Sequence, residues 1–289
     1  MNLDEAKWIN RGSFNLYGTD RIFRIQEGKG PHLLIIQGLS TSSSSWVSLV
    51  DGLKSHFRVL LPDLMGLGFS DRPKRYSYSL EDSVKQIVYL LKKNRISSFH
   101  ILAHDFGINL SCLLIPKIKE ELREAKLLSV SFIFDKNFFI PKPYHWDPKS
   151  PHWVKIPKYT PTKSKRIKLH KFSDGNLDFV NRIYPIGLSG VFQRIFNKDL
   201  IPKELAKLDT DKDYYFMFSP LNQLKIPISL FVTNPIQPQN EESIKKIKNL
   251  IPKAKVRRFS FHSESYLLEV NLPELTSFYL KIHQKFIKT

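Results

Sequence analysis

Strand-length apolar runs alternate along the chain with segments whose apolar residues recur every three or four positions, the helical spacing. The runs Arg21–Glu27, His32–Gly38 (HLLIIQG), Arg58–Asp63 (RVLLPD), Phe99–Asp105 (FHILAHD) and Leu127–Asp135 (LLSVSFIFD) read as strands. Ser43–His56, Ser79–Lys93 and Gly107–Lys119 read as helices; in the second, Leu80, Val84, Ile87, Val88 and Leu91 share one face. Uninterrupted apolar strands separated by helices predict an α/β fold, with a mostly parallel sheet covered on both faces.

The alternation stops near Phe138. Residues 141–171 hold six prolines, nine lysines or arginines and a single acid, Asp147. Proline at that density suits neither a helix interior nor a central strand. A helical pattern returns over Leu177–Phe196. Strand–helix alternation then resumes with Ile228–Asn234, Glu241–Leu250, Lys255–Phe261 and Pro273–Phe286. The chain therefore divides into a first core part (1–137), an insertion (138–215) and a second core part (216–289).

Composition narrows the class. At 289 residues and 42% apolar, the chain can bury a large core. The single cysteine, Cys112, allows no internal disulfide. The first eight residues include Asp4 and Glu5 and no apolar run, and no long uncharged apolar stretch follows, so a cytoplasmic location is expected. A formal charge of +18 attracts polyanions, but the lysines are scattered as on a solvated surface. No specific nucleic-acid partner is expected. Contact with an anionic membrane through 141–171, where Tyr144, Trp146, Trp153 and Tyr159 stand among basic residues, is a minor reading.

The candidate chemistry centres on Ala103-His104-Asp105-Phe106-Gly107, between a strand and a helix. Small flanking residues let backbones pass closely in a sharp turn that lifts the middle side chain above the sheet, the small-x-nucleophile-x-Gly pattern. With Asp in the middle, a carboxylate attacks carbon and forms an ester. The backbone N–H groups of Leu39 and Phe106 are the expected oxyanion hole. Gln37, Gly38, Trp46 and Glu264 are the expected pocket residues. The glycines of Asp63–Pro73 (DLMGLGFSDRP) suit a tight structural loop, and His104 should face away from Asp105.

These motifs carry a resemblance. In the order QGLSTSSSSW, DLMGLGFSDRP, HILAHDFG, the chain resembles the haloalkane dehalogenase and epoxide hydrolase branch of the α/β-hydrolase superfamily, and within it the mesoderm-specific transcript proteins. The resemblance implies an α/β-hydrolase fold whose insertion is a helical cap, Asp105 as nucleophile, and no metal or organic cofactor. Three departures stand out. Gln37-Gly38 replaces the usual His-Gly. Leu39 replaces the Asn with which dehalogenases hold halide. Glu264 stands where the water-activating His is usual, five residues before Glu269. His262, two residues upstream, lies about 6–7 Å away along an extended chain, within the reach of a loop. Thr233–Gln237 lacks the usual acid, and Asp135 could orient a His or simply cap a loop.

Two readings follow. The first is a hydrolase of a small apolar electrophile, epoxide or ester-like, using Asp105, His262 and Asp135. The alternative is a catalytically impaired homologue that keeps its pocket for a ligand or partner.

Overall fold

The computed structural model describes residues 3–38, 42–73, 76, 80–104, 106–134, 218–234, 238–260 and 272–287. The expected insertion, 138–215, lies outside the described residues.

The described elements follow the order α1 (Leu3–Arg11), β1 (Ser13–Tyr17), β2 (Asp20–Glu27), β3 (His32–Ile36), a 3₁₀ turn (Ser43–Trp46), α2 (Val47–Leu53), β4 (Arg58–Pro62), α3 (Leu80–Lys93), β5 (Ser98–His104), α4 (Phe106–Glu121), β6 (Lys126–Phe134), α5 (Ser219–Asn222), β7 (Ile228–Asn234), α6 (Pro238–Leu250), β8 (Lys255–Ser260) and α7 (Leu272–Ile287). The strands form one eight-stranded sheet in the order β1-β2-β4-β3-β5-β6-β7-β8. The β1–β2 and β2–β4 pairs are antiparallel, and every other pair is parallel. The predicted helix over Ser43–His56 is instead a 3₁₀ turn and a short α2 ending at Leu53. Beyond it the chain folds back on the β2–β3 connection, where Lys29 N donates to Lys54 O at 3.0 Å.

Alternation along each strand sends side chains to two cores. Leu34 and Ile36 of β3, with Phe99, Ile101 and Ala103 of β5, pack under α3, α4, α5 and α6. Leu33, Ile35 and Leu102 pack on the opposite face under α1, α2 and α7, with Trp8, Trp46 and Tyr279. Each large apolar side chain so buried contributes about 1.5–3 kcal/mol, so the doubly covered sheet fixes strand order and register.

The α1/α2/α7 face also carries a buried polar chain. His100 Nδ1 lies 2.7 Å from Ser129 Oγ, Ser129 Oγ 3.0 Å from His283 Nε2, and His283 Nδ1 2.9 Å from the Tyr279 carbonyl oxygen. A carbonyl only accepts, so His283 donates through Nδ1 and, as a neutral ring, accepts through Nε2. Ser129 then donates to His283 and accepts from His100 Nδ1–H. Geometry alone thus assigns both tautomers and orients the chain from β5 through β6 to α7.

Candidate active site

Strand β4 follows β3 but lies on one side of it, and β5 lies on the other. The strand order therefore reverses between the carboxyl ends of β3 and β5, the crevice where open α/β sheets bind ligands. That argument points to the place the motifs single out.

At the end of β5 the chain passes from His104 to the first residue of α4, Phe106, through one residue, Asp105. A sixteen-residue helix therefore starts immediately after that position, and the positive end of its dipole favours negative charge there. Ala103 is fully buried. A Cβ added at Gly107 would overlap the Ile36 carbonyl oxygen and sit 3.0 Å from the Gln37 carbonyl oxygen, so only glycine lets the first turn of α4 rest on the end of β3. Ile36 pairs with Ala103 in the parallel register. The start of α4 and the exit from β3, the two segments expected to supply oxyanion N–H groups, are therefore neighbours.

Of the predicted site residues, Gln37, Gly38 and Trp46 lie at this edge and are buried. Phe106 opens α4. Asp105, Leu39, Asp135, His262 and Glu264 lie outside the described residues. His104 is buried beside Trp46, with ring centroids 5.9 Å apart and planes at 64°. Among the described residues no group of three His, Cys, Asp or Glu side chains converges as a metal site would require, and no helix is long and apolar enough to cross a membrane.

The centre of the described site is Asp63, which follows β4 and is 0% exposed. Its Oδ1 accepts from Gln37 Nε2 at 2.8 Å and from the Ser43 N–H at 2.6 Å. Its Oδ2 accepts from Ser43 Oγ at 2.9 Å and from the Phe69 N–H at 3.0 Å. Trp8 Nε1 donates to Ser43 Oγ at 3.0 Å. An indole N–H cannot accept, so the Ser43 hydroxyl hydrogen is free to point at Asp63. Burial, the largest effect, leaves the Asp63 carboxyl above its ordinary value, although the four donors pull it down. Every facing group donates, so the arrangement suits a carboxylate and offers a carboxyl proton no acceptor.

The loop after Asp63 is built around it. Gly68 has φ +45° and a Cβ there would overlap the Asp63 carboxylate. Ser70 Oγ donates to the Asp63 carbonyl and accepts from the Phe23 N–H at 2.8 Å. Sequence reasoning gave this loop a structural role. It did not identify Asp63 as the partner of Gln37 and Ser43, because the donors to its carboxylate come from 26, 20 and 6 positions away. The available signal was an acid directly after one buried strand and an uncharged Gln directly after its neighbour.

Residues 31–166 match the family model described as alpha/beta hydrolase fold. The mesoderm-specific transcript homolog protein of Bos taurus is 29% identical over 143 residues, which are 47% of this chain and 42% of that protein. Haloalkane dehalogenase 2 of Mycobacterium tuberculosis is 25% identical over 123 residues, 43% of this chain and 41% of that one. The chain thus spans less than half the length of these relatives. The crystal structure of wild-type Cfl2 from Burkholderia cenocepacia matches at a TM-score of 0.65 and 16% identity, covering 96% of this chain and 95% of that one, a likeness of fold. With the eight-stranded sheet and its reversal between β3 and β5, these matches give the chain an α/β-hydrolase fold and a likeness to the mesoderm-specific transcript proteins and the haloalkane dehalogenases.

Proposed function

We propose that the chain is a hydrolase of a small apolar electrophile, epoxide or ester-like, acting through Asp105. The observation that supports this reading is the single residue separating the end of β5 from the start of α4, with Gly107 of α4 packed against the end of β3 at the strand-order reversal. On an epoxide, the Asp105 carboxylate attacks a ring carbon, the C–O bond breaks, and the ring oxygen leaves as an alkoxide that takes a proton from water, leaving a hydroxide that the proton given up by the aspartyl group in the second step later neutralises. Water then adds to the aspartyl ester carbonyl while His262, oriented by Asp135, accepts its proton. The Leu39 and Phe106 N–H groups hold the oxyanion of that second step. Collapse releases the diol and restores the carboxylate. Leu39 has no side-chain donor for a leaving halide, which favours epoxide or ester over haloalkane. The scheme draws on side chains and water alone.

A second reading, a ligand- or partner-binding homologue without turnover, is favoured by one observation: Glu264 stands at the position usual for the base. Incubation with a panel of epoxides, haloalkanes and activated esters, following product and intact mass together, separates the two. Turnover that disappears in Asp105→Asn supports the hydrolase. A lasting adduct on Asp105 without turnover leaves attack in place and removes His262 as base. Turnover unchanged in Asp105→Asn removes the nucleophile from the proposal.

A further inference from the structure

The buried side chains at the β3 exit form one connected network that neither the elbow nor the proposed triad uses. It runs from α1 through the 3₁₀ turn to the end of β4 and back to the residue after β3: Trp8 Nε1–H to Ser43 Oγ, Ser43 O–H to Asp63 Oδ2, and Gln37 Nε2–H to Asp63 Oδ1. Ser43 also donates its backbone N–H to the same carboxylate at 2.6 Å. Gln37 and Ser43 flank the stretch that contains Leu39, so one carboxylate grips the chain on both sides of the residue assigned an oxyanion N–H.

We propose that Asp63 is a positioning residue for the oxyanion N–H assigned to Leu39, fixing Gln37 and Ser43, the described residues on either side of it in the sequence, and that Trp8 sets the clamp's polarity by committing the Ser43 hydroxyl hydrogen to it. This rests on the hydrolase reading for its chemical consequence, but the clamp has its own physical test. Three features carry it. The carboxylate's two oxygens each receive two donors, which fills its acceptor sites in the geometry observed. The Gln37 amide has one usable orientation, because a flip would turn its carbonyl toward the carboxylate. Its Oε1 is buried with no hydrogen-bond partner among the described residues, so the side chain is held by what its Nε2 donates to. Backbone donors preorganised by such a clamp need no reorganisation as charge develops.

The test uses the full chain with Gln37→Met, which keeps the side-chain length and removes the donor, Gln37→His, which restores a donor, and Trp8→Phe. Amide exchange is followed by NMR at Ser43 and Phe69, and breakdown of the Asp105 adduct is followed by mass with styrene oxide as the probe. Loss of a charge-assisted hydrogen bond predicts exchange about tenfold faster at both amides in Gln37→Met, a smaller rise in Trp8→Phe, and wild-type protection in Gln37→His. Adduct breakdown should slow about tenfold in Gln37→Met while the probe's KM is unchanged, with recovery in Gln37→His. Unchanged exchange in Gln37→Met overturns the clamp. Faster exchange with unaltered adduct breakdown overturns its positioning role. If the wild type forms neither adduct nor product, the hydrolase reading falls separately, and the exchange data still decide whether the clamp exists.

Discussion

Two polar nodes are buried on the same covered face of this sheet, and they solve burial in opposite ways. At the strand ends, Asp63 is surrounded only by donors, so negative charge is the state its surroundings accept. In the middle of the sheet, His100, Ser129 and His283 hand one hydrogen to the next in a fixed direction, an arrangement that suits neutral rings. Burial depresses the His100 imidazole to about 3 from its ordinary 6.5, and His283 adds to the effect. A buried charge is tolerated where several oriented donors converge, and a buried titratable group without them stays uncharged. The charged node adjoins the elbow and the neutral node ties α7 to the sheet, so the same chemistry of burial separates site architecture from core architecture.

The largest effect expected from breaking this contrast comes from Asp63→Ala. It orphans four donors in a region with no access to water, so we expect a loss of about 3–5 kcal/mol in urea unfolding. A loss under 1 kcal/mol would mean that the carboxylate is not the node's organising group.

The neutral node predicts acid sensitivity with a defined sign. The folded His100 value lies below the unfolded one, so the unfolded chain binds the proton first, and stability falls as pH drops below about 6.5. Between pH 7 and pH 5 the loss should be about 2 kcal/mol. The carboxyls of Asp51 and Asp71 are held below their ordinary 3.8 by basic partners, so their contributions fade only at lower pH. His32, also held below 6.5 chiefly by burial, and the raised Asp63 carboxyl act nearer this window, so the comparison with a His100 variant isolates the His100 share. Unfolding measured at both pH values for wild type and His100→Asn should show a flatter dependence in the variant. Equal slopes would remove His100 as the acid-sensitive group.

Gly107→Ala tests the joint between α4 and β3 rather than either node. The added methyl meets backbone carbonyl oxygens, which cannot rotate away, so a cost of about 1–3 kcal/mol is expected from thermal or urea unfolding. The same variant should form the Asp105 adduct more slowly. Wild-type stability would mean that α4 can shift without cost, and the elbow argument would lose its tightest constraint.

The sequence carried the parts of this architecture that depend on local pattern. HLLIIQG is apolar on both faces, FHILAHD and LLSVSFIFD carry small or polar residues among the apolar ones, and all three are covered on both faces. The boundary between β5 and α4 was readable because a small residue, an acid and a glycine at fixed spacing follow a buried apolar run and precede a helical one. Two N-terminal elements escaped for physical reasons. Helix α1 is nine residues long, and among its described side chains Trp8 is the fully buried one. Strand β1 is an edge strand whose apolar residues Phe14 and Leu16 are 40% and 63% exposed, so its alternation does not report a buried face. The Asp63 node was invisible for a different reason, since its meaning depends on donors that only the tertiary fold brings together. Gln37 looked like a mild departure from His-Gly, and in the structure it is one of the four groups that hold the carboxylate.

The smallest expected effect concerns how α1, which delivers Trp8 to the charged node, is held in place. Arg11 near its end donates to Glu27 at 2.8 and 2.7 Å and to Asp51 at 2.8 Å. Two acids raise its guanidinium above the usual range, but the side chain is 26% exposed, so solvent screens the pair. Arg11→Gln should therefore cost about 0.5–1 kcal/mol, reduced further in high salt. Trp8 itself is 4% exposed and packs in the apolar core, so the indole should stay in place when its neighbouring ion pair is lost. Exchange at Ser43 should then be nearly unchanged in Arg11→Gln while it rises in Trp8→Phe. If both variants raised it equally, the coupling between α1 and the Asp63 node would run through docking of the whole helix rather than through the single indole N–H.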